Sequence, residues 1–129
     1  MIYIDSSIAL AQLLSEDRRP PQSLWRGGLV ASRLLQYEVW NRLHAYGRAE
    51  ELGSEVITFL NLILFIELKE DVLVRALDPL PGLPRTLDAL HLATACFVRT
   101  GDPGLRFASY DRRLVTCAAG LGLAIKPLD

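Results

Sequence analysis

The sequence has few cysteines and no long apolar run. Its two cysteines, Cys96 and Cys117, lie in segments with helical periodicity and form no CxxC pair. We therefore expect free thiols in a reducing cytoplasm rather than disulfides. The longest apolar stretch, residues 56–66, includes two polar residues and is too short to cross a bilayer. No basic residue precedes Arg18, which argues against a secretory signal and favours a cytoplasmic protein.

The sequence also lacks repeats, low-complexity tracts and a Gly/Ser-rich linker. Its 129 residues fit a single domain, residues 1–129. At this size folding buries roughly two-thirds of the surface of the unfolded chain. Half of the residues are hydrophobic and 22% are charged, a composition typical of a packed globular fold.

Neither sign of charge predominates, since the net charge is −1 and the pI is about 6.1. Nucleic-acid binding usually leaves a basic footprint, which the whole chain lacks. If four of the fifteen acids bind metal, however, fourteen basic side chains face eleven acids, a balance of +3. Twelve of the basic residues are Arg, which binds phosphate bidentately, although a GC-rich gene gives the same bias. The charge balance therefore leaves a nucleic-acid partner open.

Apolar runs and helical periodicities alternate along the chain. The runs predict strands at residues 2–4, 29–31, 65–69, 105–109 and 123–126. The periodicities predict helices at residues 8–14, 33–46, 49–64, 71–77, 86–100 and 111–119. We expect Ser6 and Ser7 to cap the first helix, Ser32 to cap the second and Gly47 to end it. Repeated strand–helix alternation predicts an α/β fold, a three-layer α/β/α sandwich with a mainly parallel central sheet.

Three aspartates follow or begin these elements. Asp5 comes directly after the first predicted strand, and Asp111 comes two residues after the fourth. Asp88 lies in the first turn of the helix at 86–100, where the positive end of the helix dipole stabilises an anion. Ligands of parallel sheets bind beyond the carboxyl ends of the strands, so we expect these acids near a binding crevice.

Glu38 differs because it lies in mid-helix beside Leu35 and Val39, where an unpaired carboxylate is costly to bury. Each acid alone has an ordinary structural explanation. The aspartates are helix-terminal residues or caps, and Glu38 is solvated or paired with Arg42. Together, at the ends of successive elements, the four acids predict convergence on one site.

Clustered carboxylates repel one another, so a cation is expected among them. Carboxylate oxygen is the ligand that Mg²⁺ and Mn²⁺ prefer. Such ions lower the pKa of a bound water, orient it and neutralise charge on a leaving oxygen. An all-oxygen site therefore favours phosphodiester cleavage.

Four motifs, in order along nearly the whole chain, carry a family resemblance. They are Tyr3-Ile4-Asp5-Ser6-Ser7, then Gln36-Tyr37-Glu38-Val39 with Arg42-Leu43, then Leu87-Asp88-Ala89-Leu90-His91-Leu92-Ala93-Thr94-Ala95, and last Ser109-Tyr110-Asp111-Arg112-Arg113-Leu114. On these motifs the chain resembles the PIN-domain ribonucleases and, among them, the VapC-type toxins of type II (VapBC) toxin–antitoxin systems.

The resemblance implies a PIN-like α/β/α sandwich, Mg²⁺- or Mn²⁺-dependent endoribonuclease activity and inhibition by a cognate antitoxin protein. It makes four acids catalytic and metal-binding, namely Asp5, Glu38, Asp88 and Asp111. It makes Ser6 and Ser109 supporting hydroxyls, with Ser109 where relatives often carry Thr. Because no acid is missing, we expect an active enzyme in which a metal-activated water attacks the RNA phosphate and no side chain becomes covalently attached.

Other residues near the motifs have weaker interpretations. His91, three residues after Asp88, is interpreted mainly as a packed helix residue rather than a ligand or general base. His44 is less involved still. The candidate RNA contacts are Arg85, Tyr110, Arg112 and Arg113. Solvation is the alternative for the arginines, and core packing for the tyrosine.

Two apolar segments are candidates for contacts with other proteins. Residues 56–66 and the helix at 90–98 are candidates for a homodimer surface and an antitoxin groove.

Two alternative functions are open. The first alternative is a PIN-like binding module with too little metal affinity to cleave, acting through protein or RNA partners. Metal binding distinguishes it. The second is a phosphoryl-accepting receiver domain, which needs paired acids after the first strand, where Ser6 and Ser7 follow Asp5.

Overall fold

The computed structural model describes residues 1–15 and 17–129. The strands are β1 (Ile2–Ile4), β2 (Leu29–Ser32), β3 (Ile63–Ile66), β4 (Arg106–Ala108) and β5 (Ala124–Ile125). The helices are α1 (Ser6–Leu13), α2 (Leu34–Ala45), α3 (Ala49–Leu60), α4 (Glu70–Ala76), α5 (Thr86–Gly101) and α6 (Arg112–Gly120). A short 3₁₀ helix spans Gln22–Arg26.

The five strands form one parallel sheet in the order β3-β2-β1-β4-β5. The chain therefore builds outward from β1 to β3 on one side and then from β4 to β5 on the other. The order reverses between β1 and β4, and ligands of open α/β sheets bind at such a switch point. The residues that directly follow these two strands are Asp5 and Ser109.

Helices cover both faces of the sheet, which confirms the three-layer sandwich. On one face α1, α2 and α3 bury Ile8, Leu35 and Val56 against the sheet. On the other, α5 and α6 bury Leu92 and Leu114. Side chains alternate across β1, so that Ile2 and Ile4 join the first cluster and Tyr3 joins the second.

The third strand lies earlier than the predicted 65–69, because α3 ends at Leu60 and β3 begins at Ile63. Its register pairs Ile63 with Leu29 of β2. Leu62 and Leu64 therefore belong to a turn and an edge strand and are 63% and 55% exposed. The predicted helix at 49–64 was too long, and its all-round apolar character came from these turn and strand residues.

Helix α1 begins two residues earlier than predicted, with Asp5 as its N-cap. The Asp5 Oδ1 accepts a hydrogen bond from the Ser7 backbone N–H at 3.1 Å, so the prediction that Ser6 and Ser7 cap this helix was wrong. At α2 the Ser32 Oγ accepts from the N–H of Leu34 at 3.1 Å, so Ser32 binds the helix N-terminus as predicted, although the N-cap residue itself is Arg33. Gly47 follows this helix with φ +68°, a conformation that favours glycine.

The proposed partner surface at 90–98 is mostly internal. Residues 91–96 of α5 are buried, and α4 packs against this helix. The two most exposed large apolar side chains among the described residues lie in the loop after α4, with Leu77 84% and Leu83 77% exposed. Within the described residues, no helix has the length and apolarity needed to cross a membrane. Both cysteines are free and buried, as expected.

Candidate active site

Asp5 lies at the switch point of the sheet and is only 5% exposed. Its Oδ1 accepts hydrogen bonds from the Ser7 hydroxyl at 2.6 Å and from the Ser7 backbone at 3.1 Å. Its Oδ2 accepts from the Ser109 hydroxyl at 2.6 Å. Two serines, one on α1 and one after β4, therefore hold the two carboxylate oxygens.

The same two serines bind the loop between β4 and α6. The Ser7 Oγ accepts from the Tyr110 backbone N–H at 2.9 Å, and the Ser109 Oγ accepts from the Asp111 N–H at 2.9 Å. The hydroxyl that binds Asp5 opposite Ser109 is that of Ser7, the neighbour of the Ser6 to which the resemblance assigns a supporting role. A capping aspartate characteristically receives hydrogen bonds from the residue two or three positions later, and that local rule favours Ser7.

The environment of Asp5 disfavours its ionised form. Burial raises the pKa of Asp5 above its ordinary 3.8, and hydrogen bonds from Ser109 and Ser7 counteract this only in part. A nearby cation would restore the ionised form.

Asp88 lies in the first turn of α5 and is partly buried. Burial raises its pKa first, and the charges of Asp111 and Glu38 raise it further, while His91 and Arg85 lower it. Asp88 therefore experiences the repulsion expected of clustered acids.

Asp111 is the N-cap of α6 and is exposed. Its Oδ1 accepts from the backbone N–H groups of Arg113 and Leu114 at 3.0 and 3.2 Å. These bonds direct the carboxylate across the helix N-terminus. Asp111 thus has a capping role in addition to its electrostatic effect on Asp88.

Glu38 on α2 is paired with His91 of α5. The Glu38 Oε1 lies 2.6 Å from the His91 Nε2, and the His91 Nδ1 lies 2.8 Å from the Tyr3 hydroxyl. The Tyr3 oxygen also accepts from the Ser32 backbone N–H at 3.2 Å, which leaves its proton for Nδ1. The Nε2–H of His91 then donates to Glu38.

This pairing shows which residue compensates the carboxylate of Glu38 in the middle of α2. Its partner is His91, not Arg42. His91 is buried as predicted, at 1% exposed, but sequence analysis missed its contacts because its partners lie 53 and 88 residues away.

The structure brings the acids into one electrostatic neighbourhood, since Asp111 and Glu38 act on Asp88, and His91 acts on Asp5 and Asp88. Among the described residues, no group of three or more His, Cys, Asp or Glu side chains is close enough to hold a metal ion. The chemistry of the donors nevertheless fits a hard divalent cation, because carboxylates that repel one another are neutralised by one.

A groove with basic side chains reaches Ser109, the donor to Asp5. Arg18, Arg112 and Lys126 line this groove of about 500 Å³ together with Ser109 and Tyr110. The Arg18 guanidinium lies 4.8 Å from the centre of the Tyr110 ring and donates to the Tyr110 carbonyl at 3.4 Å. The groove therefore presents cations and an aromatic ring beside Ser109.

The other two predicted RNA contacts lie beside Asp88 and Asp111. Arg85 is the exposed residue before α5 and lowers the pKa of Asp88. Arg113, also exposed, donates to the Leu83 carbonyl at 3.4 Å. Both arginines therefore lie on the rim of the acidic cluster rather than in the core.

A parallel sheet of this order with helices on both faces is the architecture of a PIN-like domain, and solved structures share this fold. A chain of a toxin–antitoxin complex from Klebsiella pneumoniae matches with a TM-score of 0.67 and 18% identity, over 93% of this chain and 94% of that one. A crystal structure of a Pyrobaculum aerophilum protein matches with a TM-score of 0.62 and 22% identity, over 96% and 88%.

Comparison of the sequence with known proteins identifies the family of the chain. No protein-family model matches the chain. Ribonuclease VapC46 of Mycobacterium tuberculosis is 36% identical over 131 residues, which cover 96% of this chain and 95% of that protein. This chain belongs to the VapC family of PIN-domain ribonucleases.

Proposed function

We propose that this protein is a Mg²⁺- or Mn²⁺-dependent endoribonuclease and the toxin of a toxin–antitoxin pair. The observation that carries the proposal is the 36% identity of the chain to Ribonuclease VapC46. The placement of the acids supports it, since Asp5 follows β1 at the switch point and the charges of Asp111 and Glu38 raise the pKa of Asp88. An acidic cluster at this position suits the cation-assisted hydrolysis of a phosphodiester.

The four acids would hold the cation, and hydrogen bonds fix two of them. Asp5 is fixed by Ser7 and Ser109, and Glu38 is fixed by His91. A bound Mg²⁺ or Mn²⁺ supplies charge neutralisation and a more acidic water. The side chains themselves orient the site, and none becomes bonded to phosphorus.

RNA is the proposed substrate, and basic residues around the acidic cluster are proposed to bind its phosphates. Arg85, Arg112 and Arg113 are the proposed phosphate contacts, since guanidinium binds phosphate oxygens bidentately. Tyr110 is proposed to stack on a base. Arg18 and Lys126 share the groove of Arg112 and Tyr110 and extend the path available to the strand.

The test is cleavage of total cellular RNA by purified protein with Mg²⁺, with Mn²⁺ and with EDTA. Wild-type protein should cleave only with metal. Asp5→Asn and Asp88→Asn keep side-chain size but remove charge, and each should lower the rate at least about 100-fold if the acids hold a catalytic cation. Asp71→Asn, an exposed acid in the first turn of α4, is the matched control and should cleave like wild type.

A folded wild-type protein that neither cleaves RNA nor binds metal would refute the nuclease proposal, and the binding-module alternative would replace it. Cleavage that persists in EDTA, or in both site variants, would contradict the metal-dependent mechanism alone.

An antitoxin and a second copy of the chain are the proposed protein partners. The structural neighbour from Klebsiella pneumoniae is described as part of a toxin–antitoxin complex, which supports the first. We propose that the antitoxin places an amphipathic helix in the groove that Leu13, Phe59 and Leu62 line. Co-purification with a small protein encoded next to this one tests it, and Leu62→Glu should abolish the complex. A complex that survives this change would exclude the groove.

A further inference from the structure

The chain of hydrogen bonds through Tyr3, His91 and Glu38 is almost completely removed from solvent. Tyr3 is 0% and His91 is 1% exposed, and both ring nitrogens of His91 have partners. The Tyr3 ring also stacks on Phe107, with ring centres 5.4 Å apart and planes 7° apart. Packing and hydrogen bonds therefore fix Tyr3 and His91 independently of Glu38. Glu38 is the most exposed of the three residues.

Each of the three hydrogen-bonded residues lies on an element that carries or directly precedes one of the proposed catalytic acids. Tyr3 lies on β1, two residues before Asp5. His91 lies on α5, three residues after Asp88, and residues three apart share a helix face. Glu38 lies on α2. The hydrogen bonds thus link the three elements that present Asp5, Asp88 and Glu38.

We propose that Tyr3 and His91 are positioning residues that fix the Glu38 carboxylate relative to Asp5 and Asp88, an inference that rests on the proposed nuclease function. A glutamate side chain has several rotatable bonds, and ordering it costs conformational entropy that a rigid partner reduces. His91 occupies Oε1 and leaves Oε2 for a cation. Outer hydrogen-bond partners of carboxylate ligands typically contribute 10–100-fold to metal affinity or activity.

Two substitutions test this positioning with little change in volume. Tyr3→Phe keeps the ring stacked on Phe107 and removes only the hydroxyl. His91→Gln keeps an amide donor for Glu38 but loses the bond to Tyr3. Tyr46→Phe, at a 56% exposed tyrosine, is the matched control for loss of a hydroxyl. Leu52→Ala, at a buried position of α3, is the control for loss of stability.

The first readout uses metal-free protein, in which ¹³C relaxation reports the mobility of the Glu38 side chain. Tyr3→Phe and His91→Gln should increase this mobility, and both controls should leave it unchanged. The second readout is Mn²⁺ affinity, which should fall about 10–100-fold in Tyr3→Phe. The third is RNA cleavage, in which kcat should fall while KM for RNA is retained, because the rim residues are untouched.

Tyr3→Phe and His91→Gln proteins that match wild type in all three readouts would overturn the proposal. It would also be overturned if Leu52→Ala lowered Mn²⁺ affinity and kcat equally, since the effect would then be one of stability. If wild-type protein itself neither binds Mn²⁺ nor cleaves RNA, the proposed function fails, and the mobility of Glu38 in metal-free protein still decides whether Tyr3 and His91 position it.

Discussion

Asp5, Asp88 and Asp111 have the same side chain but differ in how far it is buried. Asp5 is buried, Asp88 is partly buried and Asp111 is exposed. Burial is the largest cause of the raised pKa at both Asp5 and Asp88. Ionised carboxylates in such surroundings destabilise the metal-free protein, a common compromise between stability and activity at functional sites.

Asp88→Asn should therefore make the metal-free protein more stable than wild type at pH 7. A carboxyl whose pKa is raised on folding contributes stability below its ordinary value of 3.8, and that stability is lost as pH rises through the raised value. The asparagine does not titrate, so the difference in Tm between variant and wild type should grow as pH rises above about 4. Thermal unfolding in EDTA across this range measures it.

The exposed-acid variant Asp71→Asn supplies the baseline for losing one negative charge. A difference in Tm for Asp88→Asn that stays flat with pH, or that falls as pH rises, would contradict the raised pKa. Added Mg²⁺ should stabilise wild type more than Asp88→Asn, since the variant lacks a proposed ligand.

At the scale of elements, three helices begin at the acidic cluster. Asp5 caps α1, Asp111 caps α6, and Asp88 lies in the first turn of α5. Helix N-termini stabilise anions by about 0.3–1 kcal/mol each when exposed. The fold therefore offsets part of the repulsion among the acids by aiming positive helix ends at them.

The start of α1 also distinguishes two neighbouring serines. Ser7→Ala should lower the free energy of unfolding by about 1–3 kcal/mol, because it leaves the Tyr110 N–H without its acceptor and removes one of the donors to Asp5. Ser6→Ala should change it by less than about 0.5 kcal/mol. Urea unfolding of the two variants measures the difference. Equal losses would mean that the hydroxyl of Ser7 has no special role.

At the scale of the whole molecule, a net charge of −1 conceals an uneven distribution. Asp5 lies at the switch point, and Arg18, Arg112 and Lys126 line a groove that also contains Ser109, a hydrogen-bond donor to Asp5. An RNA strand would thus meet local positive charge on a protein that is nearly neutral as a whole. Local rather than net charge should govern its binding.

Arg112→Ala should weaken RNA binding with little dependence on sequence and reduce the salt slope of log K by about 1. Fluorescence anisotropy over a range of KCl concentrations, in an Asp5→Asn background that prevents cleavage, measures this slope. Arg106→Ala, at the opposite end of β4, is the control. If the two variants gave the same slope, the groove would not be the RNA path.

The exposed apolar side of α4 is the proposed surface for self-association. Leu73, Val74 and Leu77 are 42%, 55% and 84% exposed and line a groove of about 590 Å³ with residues of α5 and the preceding loop. Leu77→Glu should raise the dissociation constant of a dimer at least about 10-fold by burying a charge at the interface. Sedimentation velocity measures it, with Leu64→Glu as the control, and a wild-type monomer at all concentrations would refute the proposal.

Much of the fold could be predicted because its signals are local. Alternating strands and helices indicated the parallel sheet, and the helix at 86–100 matches α5 to within one residue. The position of β3 was predicted less well, since a short apolar run continues a helical pattern as easily as it begins a strand. Its register was settled by pairing with β2.

The sequence by itself determined that carboxylates follow strands or begin helices, and it carried the motifs that resemble the PIN-domain ribonucleases. Only the tertiary structure decided that His91 pairs with Glu38 and that residues 91–96 of α5 are buried. The physical reason is range. Caps and strand ends depend on neighbours a few residues away, whereas a hydrogen bond between residues 53 positions apart depends on strand order and helix packing, which no local pattern encodes.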